Sequence, residues 1–433
     1  MKTLLSLCLA GSLASLFTPA ALAGNWTVPR TLQGPFAVSS PPSPPQVTVN
    51  ANGHTLMAWN ATGVLRYAER LSGAPWQASL AVPGAAAAAG PFAAALGRNE
   101  VAAMAWTTVA TRYEPSKLMA SVRARGGNLS VPVQVGTGGG VFDMRAGVAC
   151  DGSVTLLWND AAGVHTSTLA GQPGPGACDG APSNGPWSTP LLLSAPGVGA
   201  ALPDLALNDA GATVAVWQEG AGGNPGTISA ALRPAGSGWL PAATVSAGSG
   251  LSTWNPKPGI DAAGHAVVGY LDGYRMVVAR YAPATGWGQP LVVSGTQSVY
   301  YPALAMSAGG DVLAAWLSLD ASNFGSVWQS LAPAGAGFPA PARVSARTDN
   351  ADWPTAAFAA EGGLALIGWV DDNSNSARAS VWSAGRWVRG TLGAGWWGGQ
   401  VPVGAGGGVA AAGWAVPAPG NPNSASLLGR TWR

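Results

Sequence analysis

A tryptophan, replaced once by tyrosine, recurs along this chain at Trp59, Trp106, Trp158, Trp217, Tyr270, Trp316, Trp369 and Trp414, at intervals of 45 to 59 residues. Each closes a short apolar run such as Val214-Ala215-Val216-Trp217. A period near 50 residues means one supersecondary unit repeated and stacked, each copy covering a face that its neighbour leaves bare. The cleanest copy runs from Leu202 to Ala247 as four extended segments, LPDLALNDAG, TVAVWQEG, TISAALRPAG and GWLPAATVSA. Its second segment carries a continuous apolar run, Val214 to Trp217, rather than alternating, as a strand covered on both faces must. Turns such as NDAG, ANGH and DAAG between the first and second segments supply residues that tolerate positive φ, which two-residue hairpins require. Prolines 91, 203, 302, 354 and 402 fall where first segments begin, a position that loses no ladder donor. Eight anchors predict an all-β chain folded as an eight-bladed β-propeller of four-stranded antiparallel blades.

The fourth segment has its own mark, an aromatic followed by a β-branched or leucine run, at Trp76, Trp187, Trp239, Trp287, Phe338 and Trp387, with Asn128 as the weak copy. The same mark stands near the start, at Trp26 in NWTVPRTLQ, before any unit has begun, while the eighth unit stops after its third segment, SASLLGRTWR. The N-terminal strand is therefore expected to complete the last blade, which closes the ring and removes the open sheet edge.

Residues 1–23 read as a signal peptide, with Lys2, an apolar run from Leu4 to Phe17 and an Ala-Leu-Ala site before Gly24. Residues 24–433 are then a single propeller domain, and the chain is expected to be exported to the periplasm or outside the cell. No later run is long and bulky enough for a membrane helix, so no anchor is expected. The 21 basic and 19 acidic residues nearly cancel, which excludes the electrostatic footprint of a nucleic-acid binder. Beyond the signal segment two cysteines remain, Cys150 and Cys178, at the first-to-second turn of unit three and in an insertion between its third and fourth strands. Both turns lie on one edge of a meander, so a disulfide between them is expected in an oxidising compartment.

Chemistry is expected on the face shared by the fourth-to-first crossovers and the second-to-third turns, around the mouth of the central channel. Aromatics crowd the crossovers of the later units at Trp254, Tyr300, Tyr301, Trp353, Trp396 and Trp397. Acids follow the anchor by two positions at Asp160, Glu219, Asp272 and Asp371. Aromatic rings beside carboxylates suit sugars, whose C–H faces stack and whose hydroxyls donate; the alternative is that the rings wedge between blades and the acids cap turns. Arg233, Arg280 and Arg430 on third segments read as surface residues of the repeat. His54, His165 and His265 lack ligand spacing, and His54 and His265 share one turn position, so they read as exposed turn residues and no metal or other cofactor is expected. There is no GxSxG, HExxH or GxxxxGK[ST].

Segments such as SAGGDVLAAW and TGWGQPLVVS resemble the repeats of exported bacterial propellers of the sialidase-like and lectin-like kind. The resemblance spans the chain after residue 23 and implies carbohydrate as the ligand class. The SxDxGxxW box of sialidases is absent from every unit, and no motif carries their arginine cluster or tyrosine nucleophile. The expectation is a monomeric, non-catalytic binding propeller for a glycan, sited over the later blades. Its alternatives are a polysaccharide hydrolase or lyase, and a scaffold for an envelope or extracellular protein.

Overall fold

The computed structural model describes residues 24–37, 44–86, 88–112, 114–137, 140–220, 226–246, 250–394, 399–418 and 420–433. Residues 1–23, expected from the sequence to be a signal peptide, and the pair Trp396 and Trp397 lie outside these residues. The described chain has no helix, and none is therefore long and apolar enough to cross a membrane. It forms eight antiparallel sheets, the four-stranded blades of a propeller, with the fourth strand of blade five broken into Gly286–Trp287 and Leu291–Val292, plus a small hairpin. First strands are Gln46–Val49, Ala88–Leu96, Asp143–Val148, Ala200–Leu207, Thr253–Ile260, Val299–Met306, Ala351–Phe358 and Val403–Gly406. First strands of adjacent blades pack on one another and line the channel.

The anchors are where the repeat placed them: all eight sit on second strands and are at most 3% exposed. Blade four shows why its apolar run does not alternate. Val214 and Val216 pack on Val268, Tyr270 and Val277 of blade five, whereas Ala215 and Trp217 pack on Leu157 and Val164 of blade three. Successive residues thus enter different interblade cores, and burial of each core drives the stacking of blades.

Polar links reinforce the same interfaces. Gln46 donates to the Phe92 carbonyl at 2.6 Å and accepts from the Ala94 amide at 2.8 Å, so its amide behaves as a piece of strand between blades one and two. At the same register Arg145 donates to Asp204 at 3.0 Å and Lys257 donates to the other Asp204 oxygen at 3.0 Å, tying blades three, four and five through the channel wall. Beyond the short fourth strands a serine extends the ladder: Ser194, Ser246, Ser294 and Ser345 each accept a third-strand amide, at 3.0–3.1 Å.

The ring closes as expected. Arg30–Ala37 pairs antiparallel with Asn421–Trp432, with Arg30 opposite Gly429 and Ala37 opposite Ser424, and Trp26 bridges Trp432. Arg430 is a clasp rather than a solvated repeat residue, since its guanidinium donates to the carbonyls of Thr27, Trp26, Thr391 and Leu392. Cys150 and Cys178 are bridged, and the insertion that holds Cys178 folds as a hairpin of Gly171–Gln172 with Ala181–Pro182. Two of the expected exposed turn histidines depart from expectation: His54 is 4% exposed, enclosed with Glu69 and Arg123, which pair at 2.5 Å, and His165 lies on the third strand of blade three, where its ring stacks on Trp158 at 5.7 Å.

Candidate functional site

At the channel mouth the first strands of five blades carry the same irregularity. The pairing register slips beside Gly90, Leu202, Asn255, Tyr301 and Trp353, whose φ angles are +66°, +53°, +56°, +43° and +51°. Each stands directly before a proline, at 91, 203, 256, 302 and 354. Proline has no N–H for the ladder, and the slip is a bulge, of one extra residue in blades four to seven and of two in blade two, that re-aims the side chain at the strand end. Glycine takes this conformation freely, but a tyrosine or tryptophan held there costs about 1–3 kcal/mol. Such strain persists only where surrounding contacts over-determine it, and it concentrates at binding sites.

The two bulky bulge residues meet. Tyr301 of blade six and Trp353 of blade seven stack with ring centroids 4.1 Å apart and an interplanar angle of 29°, and both are half-buried. Tyr300 instead tilts against Tyr274, on the second-to-third turn of blade five, at 5.4 Å. Tyr274 is 61% exposed and was not singled out from the sequence. Trp254 joins neither pair; it packs on the core between blades five and six.

The four acids after the anchors are engaged within their own blades. Asp160 takes the His165 Nε2 at 3.1 Å and caps the Ala162 amide. Glu219 accepts the indole N–H of Trp217 at 2.8 Å and the hydroxyl of Ser229. Asp272 pairs with Arg275 at 2.6 Å. Asp371 is buried, paired with Arg378 at 3.0 Å, and accepts the Asn350 and Asn373 amides.

Two other carboxyls matter more at the mouth. Asp352, beside Trp353, accepts that residue's amide at 2.8 Å. Burial pushes its pKa up to about 6, helped by the charge of Asp372 and opposed by that hydrogen bond. Asp372 is itself raised, first by burial and then by Asp371. The Tyr301 phenol is raised by burial and by Asp352. Neither Asp352 nor Asp372 has an ion-pair partner among the described residues. Aromatic spacing located this corner, but Asp352 was missed, although DWP placed a carboxyl next to the platform. The mouth therefore offers a stacked aromatic surface and two uncompensated carboxyls able to exchange hydrogen bonds with hydroxyls. It has no metal-ligand set: among the described residues the single grouping of suitable type is Cys150, Cys178 and Asp209, and both sulfurs are consumed in the disulfide.

Fold and mouth together define the class, an eight-bladed β-propeller with an aromatic, acid-lined channel mouth. No protein-family model matches the chain, and no curated protein matches it. Among solved structures it is similar to the BP39L lectin from Burkholderia pseudomallei, with a TM-score of 0.54 and 14% identity, over 82% of this chain and 100% of the lectin. It is also similar to the polysaccharide lyase Uly1, with a TM-score of 0.52 and 12% identity, over 93% of this chain and 99% of the lyase. At such identities the likeness is one of fold.

Proposed function

We propose that the protein is an exported, non-catalytic glycan-binding propeller whose site is the mouth corner formed by blades six and seven. The observation that carries this reading is the Tyr301–Trp353 stack, built from two bulky residues in left-handed backbone on adjacent blades. A platform of that kind gains from covering a sugar's C–H face, and Asp352 and Asp372 supply acceptors, or a donor when protonated, for its hydroxyls. Export agrees with the disulfide, which persists outside reducing compartments. Titration of the purified protein against a glycan panel tests it. The expectation is saturable binding to at least one glycan, weakened about tenfold or more by Trp353→Ala or Tyr301→Ala, as loss of an aromatic anchor implies. Absence of binding across the panel, or unchanged binding in both variants, overturns the reading.

One observation favours a second reading, a polysaccharide hydrolase or lyase. Asp352 and Asp372 are interacting carboxyls, and Asp352, pushed up to about 6, meets what the general acid of a glycoside-cleaving pair needs, the partner being a carboxylate that stays ionised. A reducing-end assay over a polysaccharide panel decides it: cleavage lost in both Asp352→Asn and Asp372→Asn supports an enzyme, and no cleavage removes it.

A further inference from the structure

On the face opposite the mouth, blades five and six enclose a cleft of about 670 Å³, walled by the first-to-second and third-to-fourth turns of both. That volume lies in the range of small-molecule sites. Its apolar side is Val267, Tyr281 and Met306, and its polar side is Arg280 with His265.

Arg280 differs from Arg233 and Arg145, two other half-buried arginines, and from Arg430, whose guanidinium is taken up by four carbonyls. Arg233, over the Trp239 ring in the preceding blade, is saturated by the hydroxyls of Thr155, Thr168 and Thr213 at 2.7–3.1 Å. Arg145 lies between the carboxylates of Asp143 and Asp204. Arg280 crosses from blade five to lie over the Phe338 ring of blade six at 5.2 Å, and it donates through Nη2 to the Ala336 carbonyl at 3.1 Å. It has no carboxylate partner among the described residues. Burial alone moves its pKa, downward, with no acid opposing the shift. A guanidinium fixed on a ring, partly desolvated and without a counter-charge, is a carboxylate receptor with its partner missing.

The second polar group is oriented too. His265 Nδ1 is held by Asp261 Oδ2 at 2.8 Å, and the other Asp261 oxygen accepts the amides of Ala263 and His265 at 2.9 and 2.8 Å. Asp261 also lines the cleft but is 6% exposed, and both of its oxygens are engaged by its own turn. The imidazole, half-exposed, is left with Nε2 to offer to a ligand hydroxyl.

We propose that this cleft binds a small carboxylate on a hydroxylated ring, of the hexuronate kind, with the carboxylate on Arg280, a hydroxyl at His265 and the ring against Tyr281 and Met306. The site is separate from the mouth and stands or falls without it. Arg280 takes one bidentate oxyanion, and the apolar wall of Tyr281 and Met306 favours one carried on a ring over free phosphate.

Calorimetric or NMR titration of the full chain with glucuronate, glucose and inorganic phosphate tests it. Glucuronate is expected to bind at least about tenfold more tightly than either, and Arg280→Met, which keeps apolar packing on Phe338, to remove that margin. Arg280→Lys keeps the charge without the fork and is expected to lose several-fold; it also serves if the methionine variant does not fold. Arg233→Met is expected to leave glucuronate affinity within about twofold, because its guanidinium is held by threonines outside the cleft. Equal affinity for glucuronate and glucose overturns the proposal, as does displacement by inorganic phosphate at matching concentration. Unchanged binding in both Arg280 variants does the same.

Discussion

If the N-terminal strand closes the ring by packing as well as by pairing, opposite changes in volume at its contact should compensate. Leu32 is 8% exposed and lies in the core with Val47, Met57, Trp59, Ala411 and Leu427. Removing it by Leu32→Ala is expected to destabilise by about 2–4 kcal/mol, the usual cost of lost transfer energy plus a cavity. The Leu32 side chain reaches Gly429, the register partner of Arg30, where an added Cβ would stand 2.9 Å from Leu32 Cδ1 and 3.3 Å from both Met57 Cε and Trp76 Cζ2. Gly429→Ala is therefore overpacked and expected to cost about 1–3 kcal/mol. In the double variant the nearest clashing atom is gone and the new methyl enters the space it left. The combined loss should fall short of the sum by on the order of 1 kcal/mol or more. Val28, on the same N-terminal segment but 85% exposed, is the control, and Val28→Ala should change stability by no more than about 0.5 kcal/mol. Urea unfolding followed by tryptophan fluorescence measures all four variants. Strict additivity, or a Leu32→Ala loss no larger than that of Val28→Ala, would refute the packed closure.

Two further tests follow from the chemistry. Asp352 holds its proton to about pH 6 against a usual 3.8, so its ionisation opposes folding: the stability it contributes is intact below pH 3.8 and lost as pH rises to 6. Melting curves of Asp352→Asn against the parent should coincide near pH 3.5, separate in favour of the variant through that window, and stay apart at pH 7–8; a separation already complete at pH 3.5 would contradict the assignment. For the bridge, Cys150→Ser with Cys178→Ser opens a loop of 28 residues and should lower stability by about 3.5 kcal/mol in the chain-entropy model. Proteolysis should then begin within residues 171–182, and uniform cleavage elsewhere would show that the bridge does not hold the insertion.

Parts of the site were legible before any coordinates and parts were not, for reasons visible in particular residues. Tyr301 and Trp353 stood out because aromatics before proline recur in the later crossovers, and the crossover position alone assigns them to the mouth. That Tyr301 and Trp353 touch while Trp254 meets neither depends on where adjacent blades direct their bulges, which spacing does not carry. Asp160, Glu219 and Asp272 formed an equally regular pattern, yet each is taken up by a nearby donor within its own blade. Asp352 broke no pattern and was passed over; its raised pKa arises from burial and from Asp372 across the sheet edge. His54 and His265 share a turn position, but one is enclosed by Glu69 and Arg123 while the other faces a cleft, because their neighbouring blades differ.

The sequence by itself determined the number of blades, the register of their cores and the strand that completes the ring, because a covered strand must be apolar on both faces and the repeat writes that requirement eight times. Which polar groups remain available was decided only in the tertiary structure. Availability is set by what the adjacent blade presents across the interface: three threonines saturate Arg233, while a bare ring leaves Arg280 open.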